Sequence, residues 1–314
     1  MAITSERLLR GIKRRITIPA NQILFSDDDM LEVADDIISS KLCPMIMSLN
    51  QDYFIYLEEE ALVASKTDYA IPYRAIGRTL RFLTLRDSNN NVRDLNFVTI
   101  EDAANYANSA STVGFHFLSD KIHLVPDVPS TYTGTDYLQK RYPLPPSKLV
   151  PASEIMVVTG NITATSVDVS SVPASFIAGA NVDFIQAQQG NTIYAMDKAI
   201  VSVASLTINF ATSDIPSLLA VGDYIALAGE SPVVNFIPDV AYSYIETRTS
   251  ERVLQAIGDY EGLKNLKEDA KEEKQDLEKI MEPRILGNPR VFINRNGLVR
   301  GAKFNQRSWL YGNS

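Results

Sequence analysis

His116 and His123 are the two histidines of the chain, and their spacing is the first place to look for chemistry. Residues 113–118 and 121–125 read as strands around a turn at Ser119 and Asp120, which sets His116 opposite His123 with both side chains on one face. A metal site needs at least a third protein ligand and supporting hydrogen bonds, and no carboxylate lies in the hairpin on that face. The pair is expected to be structural, with no metal and no cofactor. One cysteine, Cys43, rules out an intrachain disulfide or a cysteine zinc cluster; within Leu42-Cys43-Pro44-Met45-Ile46 it reads as a small buried hydrophobe. There is no Gly-x-Ser-x-Gly elbow, and a serine triad would have to use one of two histidines that sit together. Phosphate-cradling loops are missing too. Carboxylates are plentiful at Asp27, Asp28, Asp29, Asp35, Asp36, Glu58, Glu59 and Glu60, but the first three suit a helix N-terminus and none has a partner motif. An enzyme is not expected.

The chemistry that remains is docking. Residues 284–314 hold six cations, no acid and the single tryptophan. Gly, Pro and Asn among them argue against a helix, so the segment is expected to be an extended arm lying on another, anionic, grooved surface. Val291, Phe292, Ile293, Phe304 and Trp309 would fill pockets there, and Arg290, Arg295, Arg300, Lys303 and Arg307 would set register. Cations interleaved with Phe304, Trp309 and Tyr311 also suit phosphate contacts and base stacking. Against that stands the charge of the body. The chain carries −8 overall, with +4 in residues 1–16 and +6 in 284–314, so the part between them carries −18 and repels a polyanion. Basic ends on an acidic body favour contact between copies.

The elements that must position these groups are readable from periodicity. Residues 4–16 form a basic amphipathic helix with Leu8, Leu9, Ile12 and Ile16 on one stripe. A second helix is capped by Ser26, and Pro44 is expected to kink or end it. Strands are expected at 53–63, 80–86, 92–98, 113–118, 121–125 and 135–142. Between 151 and 232 the pattern changes to short strands at 155–159, 166–169, 182–186, 199–205, 206–210 and 224–227, separated by polar turns, which suits a small antiparallel barrel or sandwich. Helix resumes from Pro238 to Gly258, and a further helix runs from Asp259 to about Met281. Between Lys267 and Lys279 only Ala270 and Leu277 are apolar, so most of that helix faces water or, more sharply read, lines a channel through Lys271, Glu272, Lys274, Gln275 and Glu278.

The expected fold class is α+β: a helical hairpin or bundle core with antiparallel strands, an inserted all-β barrel or sandwich module, and an extended C-terminal arm. Its boundaries are expected at 1–150 for helices plus strands, 151–232 for the β module, 233–283 for the two-helix part of the core, and 284–314 for the arm. No stretch approaches the ~18 apolar residues of a membrane span, so an intracellular protein, or one released by lysis, is expected.

With these residues in view, the chain resembles the head-to-tail connector or adaptor proteins of tailed bacteriophages. The likeness rests on Pro19-Ala20-Asn21-Gln22 and Phe25-Ser26-Asp27 after the basic helix, on Tyr69-Ala70-Ile71-Pro72 with Ala75-Ile76-Gly77, and on Val221-Gly222-Asp223-Tyr224 through Glu230-Ser231-Pro232. It continues in Arg252-Val253-Leu254 with Gly258-Asp259 and in Asn294-Arg295-Asn296-Gly297-Leu298. The resemblance implies a virion ring of about twelve subunits, assembled in the host cytoplasm and fixed beneath the portal protein. Such a ring offers a platform to the next tail or neck protein and conducts genomic DNA through a channel without sequence-specific binding. The aromatic stretch beyond Arg300 departs from that pattern. Two other readings stand beside it: a different neck-ring or tail component whose β module binds a fibre, and a polysaccharide hydrolase, for which the sequence nominates no carboxylate pair.

Overall fold

Leu8, Leu9, Ile12 and Ile16 recur at helical spacing, and α1 (Ser5–Ile16) buries all four. The computed structural model describes residues 3–16, 25–63, 66–103, 114–125, 136–187 and 192–281; the arm expected at 284–314 lies outside them. The second helix, α2 (Asp27–Ile37), begins with a reciprocal cap. Ser26 Oγ accepts from the Asp29 N–H at 3.1 Å, and the Asp29 carboxylate accepts from the Ser26 N–H at 2.8 Å, so two orphan donors are satisfied at once.

Of the two outcomes expected at Pro44, a kink or an end, the helix does not end there but is interrupted just before it. A π turn, Ile38–Leu42, carries the chain into α3 (Cys43–Leu49), where Pro44 falls in the first turn. Proline has no N–H to give the ladder. The wider π register, in which the Cys43 N–H reaches back to Ile38 O, takes up that break, and the helix ends at Asn50, whose N–H bonds Ile46 O at 2.8 Å.

The helical core is completed from the far end of the chain. A short 3₁₀ turn (Asp239–Ala241) leads into α4 (Tyr242–Ile257), which stops at Gly258 in the left-handed region at φ +84°. Glycine is suited to that position because a Cβ is disfavoured there. Asp259 then caps α5 (Tyr260–Met281) by accepting from the Gly262 N–H at 3.1 Å. Leu263, Leu266, Ala270, Leu277 and Met281 are its buried stripe, as narrow as the sequence suggests. Where α1 crosses α4, Gly11 faces the flexible end of the Glu246 side chain, which would have to swing aside for a Cβ. A Cβ on it would sit 1.5 Å from Glu246 Oε1, the carboxylate that receives Arg15 Nε at 3.3 Å.

The strands form three sheets and a barrel. One antiparallel sheet has the order β1-β8-β3-β4, from β1 (Ile55–Ala61), β8 (Tyr137–Pro143), β3 (Phe82–Arg86) and β4 (Val92–Asp94). Another has the order β2-β7-β6-β5, from β2 (Asp68–Ala70), β7 (Lys121–Val125), β6 (Gly114–Leu118) and β5 (Asn96–Phe97), with β5 parallel to β6. The single strand expected at 92–98 is thus divided, one half in each sheet. Leu62, Tyr69, Leu83, Leu85, Leu95, Ile122, Leu124 and Leu138 form one buried cluster drawn from both sheets. A parallel pair, β9 (Lys148–Leu149) with β16 (Glu230–Ser231), closes the entry and exit of the β module.

That module is a closed barrel in the order β10-β11-β14-β13-β12-β15. Its strands are β10 (Met156–Gly160), β11 (Ser166–Val169), β12 (Asn181–Ile185), β13 (Ile193–Ala204), β14 (Thr207–Phe210) and β15 (Tyr224–Leu227). Of the two forms expected, closure selects the barrel and leaves the module without a free edge. β13 starts earlier than the sequence suggests and is 12 residues long. Its residues Ile193 to Lys198 are not apolar in alternation, and the register breaks near Asp197, which has φ +56°; a bulge of this kind bends one strand so that it serves both halves of a barrel. The barrel does not stand apart: helices, sheets and barrel belong to one unit, Met1–Met281.

Candidate partner surfaces and a buried charge cluster

The side chains that join barrel to body are charged and buried. Arg74, in the loop after β2, is held by Asp183 on β12. The guanidinium Nη1 lies 2.7 Å from Asp183 Oδ2, with the two side chains 9% and 0% exposed. Asp183 also accepts from the Gly229 N–H and the Asp197 N–H, each at 3.0 Å. Burial pushes the Asp183 carboxyl up in pKa, and Arg74 with those two amides works against it. Beside it, the Tyr73 hydroxyl donates to Asp197 at 2.6 Å. One loop therefore fastens two strands of the barrel.

A cleft of about 530 Å³ opens next to this latch, between β1, β8 and β13. At its floor is Lys140, whose side chain is 2% exposed. The ammonium donates to Glu60 Oε2 at 2.6 Å, Ala70 O at 2.9 Å and Glu58 Oε1 at 3.5 Å. Tyr142 completes Glu58 by donating to Oε2 at 3.0 Å. An ammonium with three donors has three acceptors here. Burial pushes Glu60 up, but Lys140 and Lys66 outweigh it and hold the carboxyl below its ordinary value. A general acid requires the opposite. At this cleft Lys140 of β8 ties Glu58 and Glu60 of β1.

The histidine pair takes the register expected, His116 opposite His123, with ring centroids 4.8 Å apart. The carboxylate that the hairpin lacks comes from the neighbouring strand. Asp68 on β2 is paired across from His123, and its Oδ1 lies 2.6 Å from His123 Nδ1. The hydrogen bond with His123 holds the Asp68 carboxyl below its ordinary value. His116 is 8% exposed, its Nδ1 has no partner among the described residues, and burial followed by the His123 charge lowers its pKa. Among the described residues no group of three or more His, Cys, Asp or Glu is arranged to hold a metal ion.

Asp35 is a functional-looking group that its helical context hides. Both carboxylate oxygens lie 3.0 Å from the Leu149 N–H, which they accept, and burial pushes its pKa up to about 7. It borders a pocket of about 370 Å³ beside the π turn, walled by Ile38, Cys43, Pro44, Met47, Pro145 and Pro146. Cys43 is buried as expected, and burial pushes its thiol up to about 12.

On α5 the residues nominated for a channel, Lys271, Glu272, Lys274 and Gln275, are exposed and Glu278 is half-exposed. Lys274 and Glu278 pair at 3.4 Å. Glu273 instead turns toward the bundle, accepting from the Ser243 hydroxyl and meeting Arg15 at 3.5 Å. The nominated arm residues Arg290, Val291, Phe292, Ile293, Arg295, Arg300, Lys303, Phe304, Arg307 and Trp309 lie outside the described residues. Among the described residues no helix is long and apolar enough to cross a membrane. Compared with known proteins, the sequence matches no family model and no curated protein.

Proposed function

We propose that this chain is a structural virion protein: a head-to-tail adaptor whose copies form a ring, join the portal to the tail and line the DNA exit channel. The observation that carries the reading is the outer face of α5. This helix is 22 residues long, is held to the core by one apolar stripe, and turns mostly charged side chains outward elsewhere, with Tyr260 and Ile280 also exposed. It contains seven acids and five lysines. Mixed charge with a slight acidic excess is hydrated and repels phosphate, which suits a wall past which DNA must slide without sticking. The latched barrel suits the same role, because a ring that bears force needs its modules fixed to one another.

In this reading the basic, aromatic segment 284–314 docks on the portal. Its aromatic and arginine side chains are the kind that dominate an interface. Deleting Arg290–Ser314 should leave the thermal unfolding of the body unchanged while portal no longer captures the protein. Capture at the wild-type level by the shortened chain would remove the arm from the account.

A further inference from the structure

The cations of α1 divide into two sets. Lys13 is 2.5 Å from Asp27, and Arg15 reaches Glu246 and Glu273 at 3.3 and 3.5 Å. Arg7, Arg10 and Arg14 have no ion pair among the described residues, and all three are exposed. Their spacing of three and four residues puts them on one stripe, and they line one depression of about 450 Å³ together with Gly11, Tyr242 and Glu246. Arg7 lies over the Tyr242 ring at 5.4 Å. The acid of this depression, Glu246, is already taken by Arg15, so its free charge is positive.

The acids of α2 divide in the same way. Asp27 is paired with Lys13, Asp29 is spent in the Ser26 cap, and Asp35 is turned inward to Leu149. Asp28, Glu32 and Asp36 are exposed, have no ion pair among the described residues, and recur every fourth residue on one stripe. The two stripes match in length. At 1.5 Å per residue, Arg7 to Arg14 spans about 10.5 Å and Asp28 to Asp36 about 12 Å.

We infer that the Arg7–Arg10–Arg14 stripe of one copy docks on the Asp28–Glu32–Asp36 stripe of the next. Three unpaired cations and three unpaired acids, on stripes of similar length on different helices of one chain, make a contact between unlike patches. Such a contact propagates head to tail and closes into a ring when the rotation allows. Exposed pairs set register and encounter rate more than affinity, so the contact is strongly salt-dependent. The inference rests on the ring reading for its biological setting, but its test needs no portal.

Sedimentation of the full chain in low salt should show self-association that weakens at least about tenfold as ionic strength approaches about 1 M, where screening acts within ~3 Å. Two charge-reversed variants, Arg10→Glu with Arg14→Glu and Glu32→Arg with Asp36→Arg, should each stay monomeric. An equimolar mixture should associate again, because each variant then offers the stripe the other lacks. Gln at the same four positions, which disturbs the helices less, should give a smaller loss in each case. Wild-type protein that stays monomeric at every concentration, variants that associate like wild type, or a mixture that does not recover would each overturn the pairing. Capture of such a wild-type monomer by portal would still leave the adaptor reading standing.

Discussion

Arg74 and Lys140 show how burial decides the strength of an ion pair. Removing Arg74 strands Asp183, which is fully buried, whereas removing Lys140 strands Glu58 and Glu60, whose side chains keep 35% and 31% exposure and can rehydrate. Arg74→Ala should therefore cost about 3–5 kcal/mol and Lys140→Ala about half that or less, by urea unfolding; equal costs would contradict the ranking. Asp35 governs a pH effect. Its folded carboxyl keeps a proton up to about 7 from an ordinary 3.8, so between those values the folded state holds more protons than the unfolded one. Stability falls as pH rises through that window. Asp35→Asn keeps an acceptor for Leu149 and should flatten the fall, gaining about 1–2 kcal/mol above neutrality and little at acid pH. Little of this was legible in the sequence. Ser26 announces the cap though not the return bond to Asp29, and the two histidines announce their register. Asp68 lies 55 residues from His123, and Arg74 lies 109 from Asp183, so only the folded sheet order brings each pair together.

At the scale of elements, local chemistry was readable and local irregularity was not. Gly258 between two helical patterns marked the α4–α5 turn, and the structure puts it at φ +84°. Gly258→Ala should cost about 1 kcal/mol or somewhat more, read as a lower unfolding midpoint with unchanged helix content; an unchanged midpoint would mean that the turn relaxes freely. The π turn ahead of Pro44 escaped the sequence because proline announces a broken hydrogen bond and says nothing of how the helix absorbs it. β13 escaped in the same way. Its first half, around Met196 and Asp197, lacks alternation because the strand bulges there, and periodicity finds only regular strands.

The whole molecule is organised by charge. The composition shows basic ends and an acidic body, and the fold resolves the described part into helical stripes that are either satisfied internally or left open. Lys13, Arg15, Asp27 and Asp29 are satisfied; Arg7, Arg10, Arg14, Asp28, Glu32 and Asp36 are open. The barrel was legible as a class because its short strands and turns are regular, but its closure and its fastening through Arg74 are tertiary facts. A ring-forming adaptor accounts for open complementary stripes, a long hydrated helix and a fixed β module together. Electron microscopy of purified portal, alone and after mixing with this chain, tests that account most directly. The account predicts an added ring of density coaxial with the portal, with α5 toward the axis. Portal particles that look the same with and without the chain, or a ring with the barrel lining its bore and α5 outside, would contradict it.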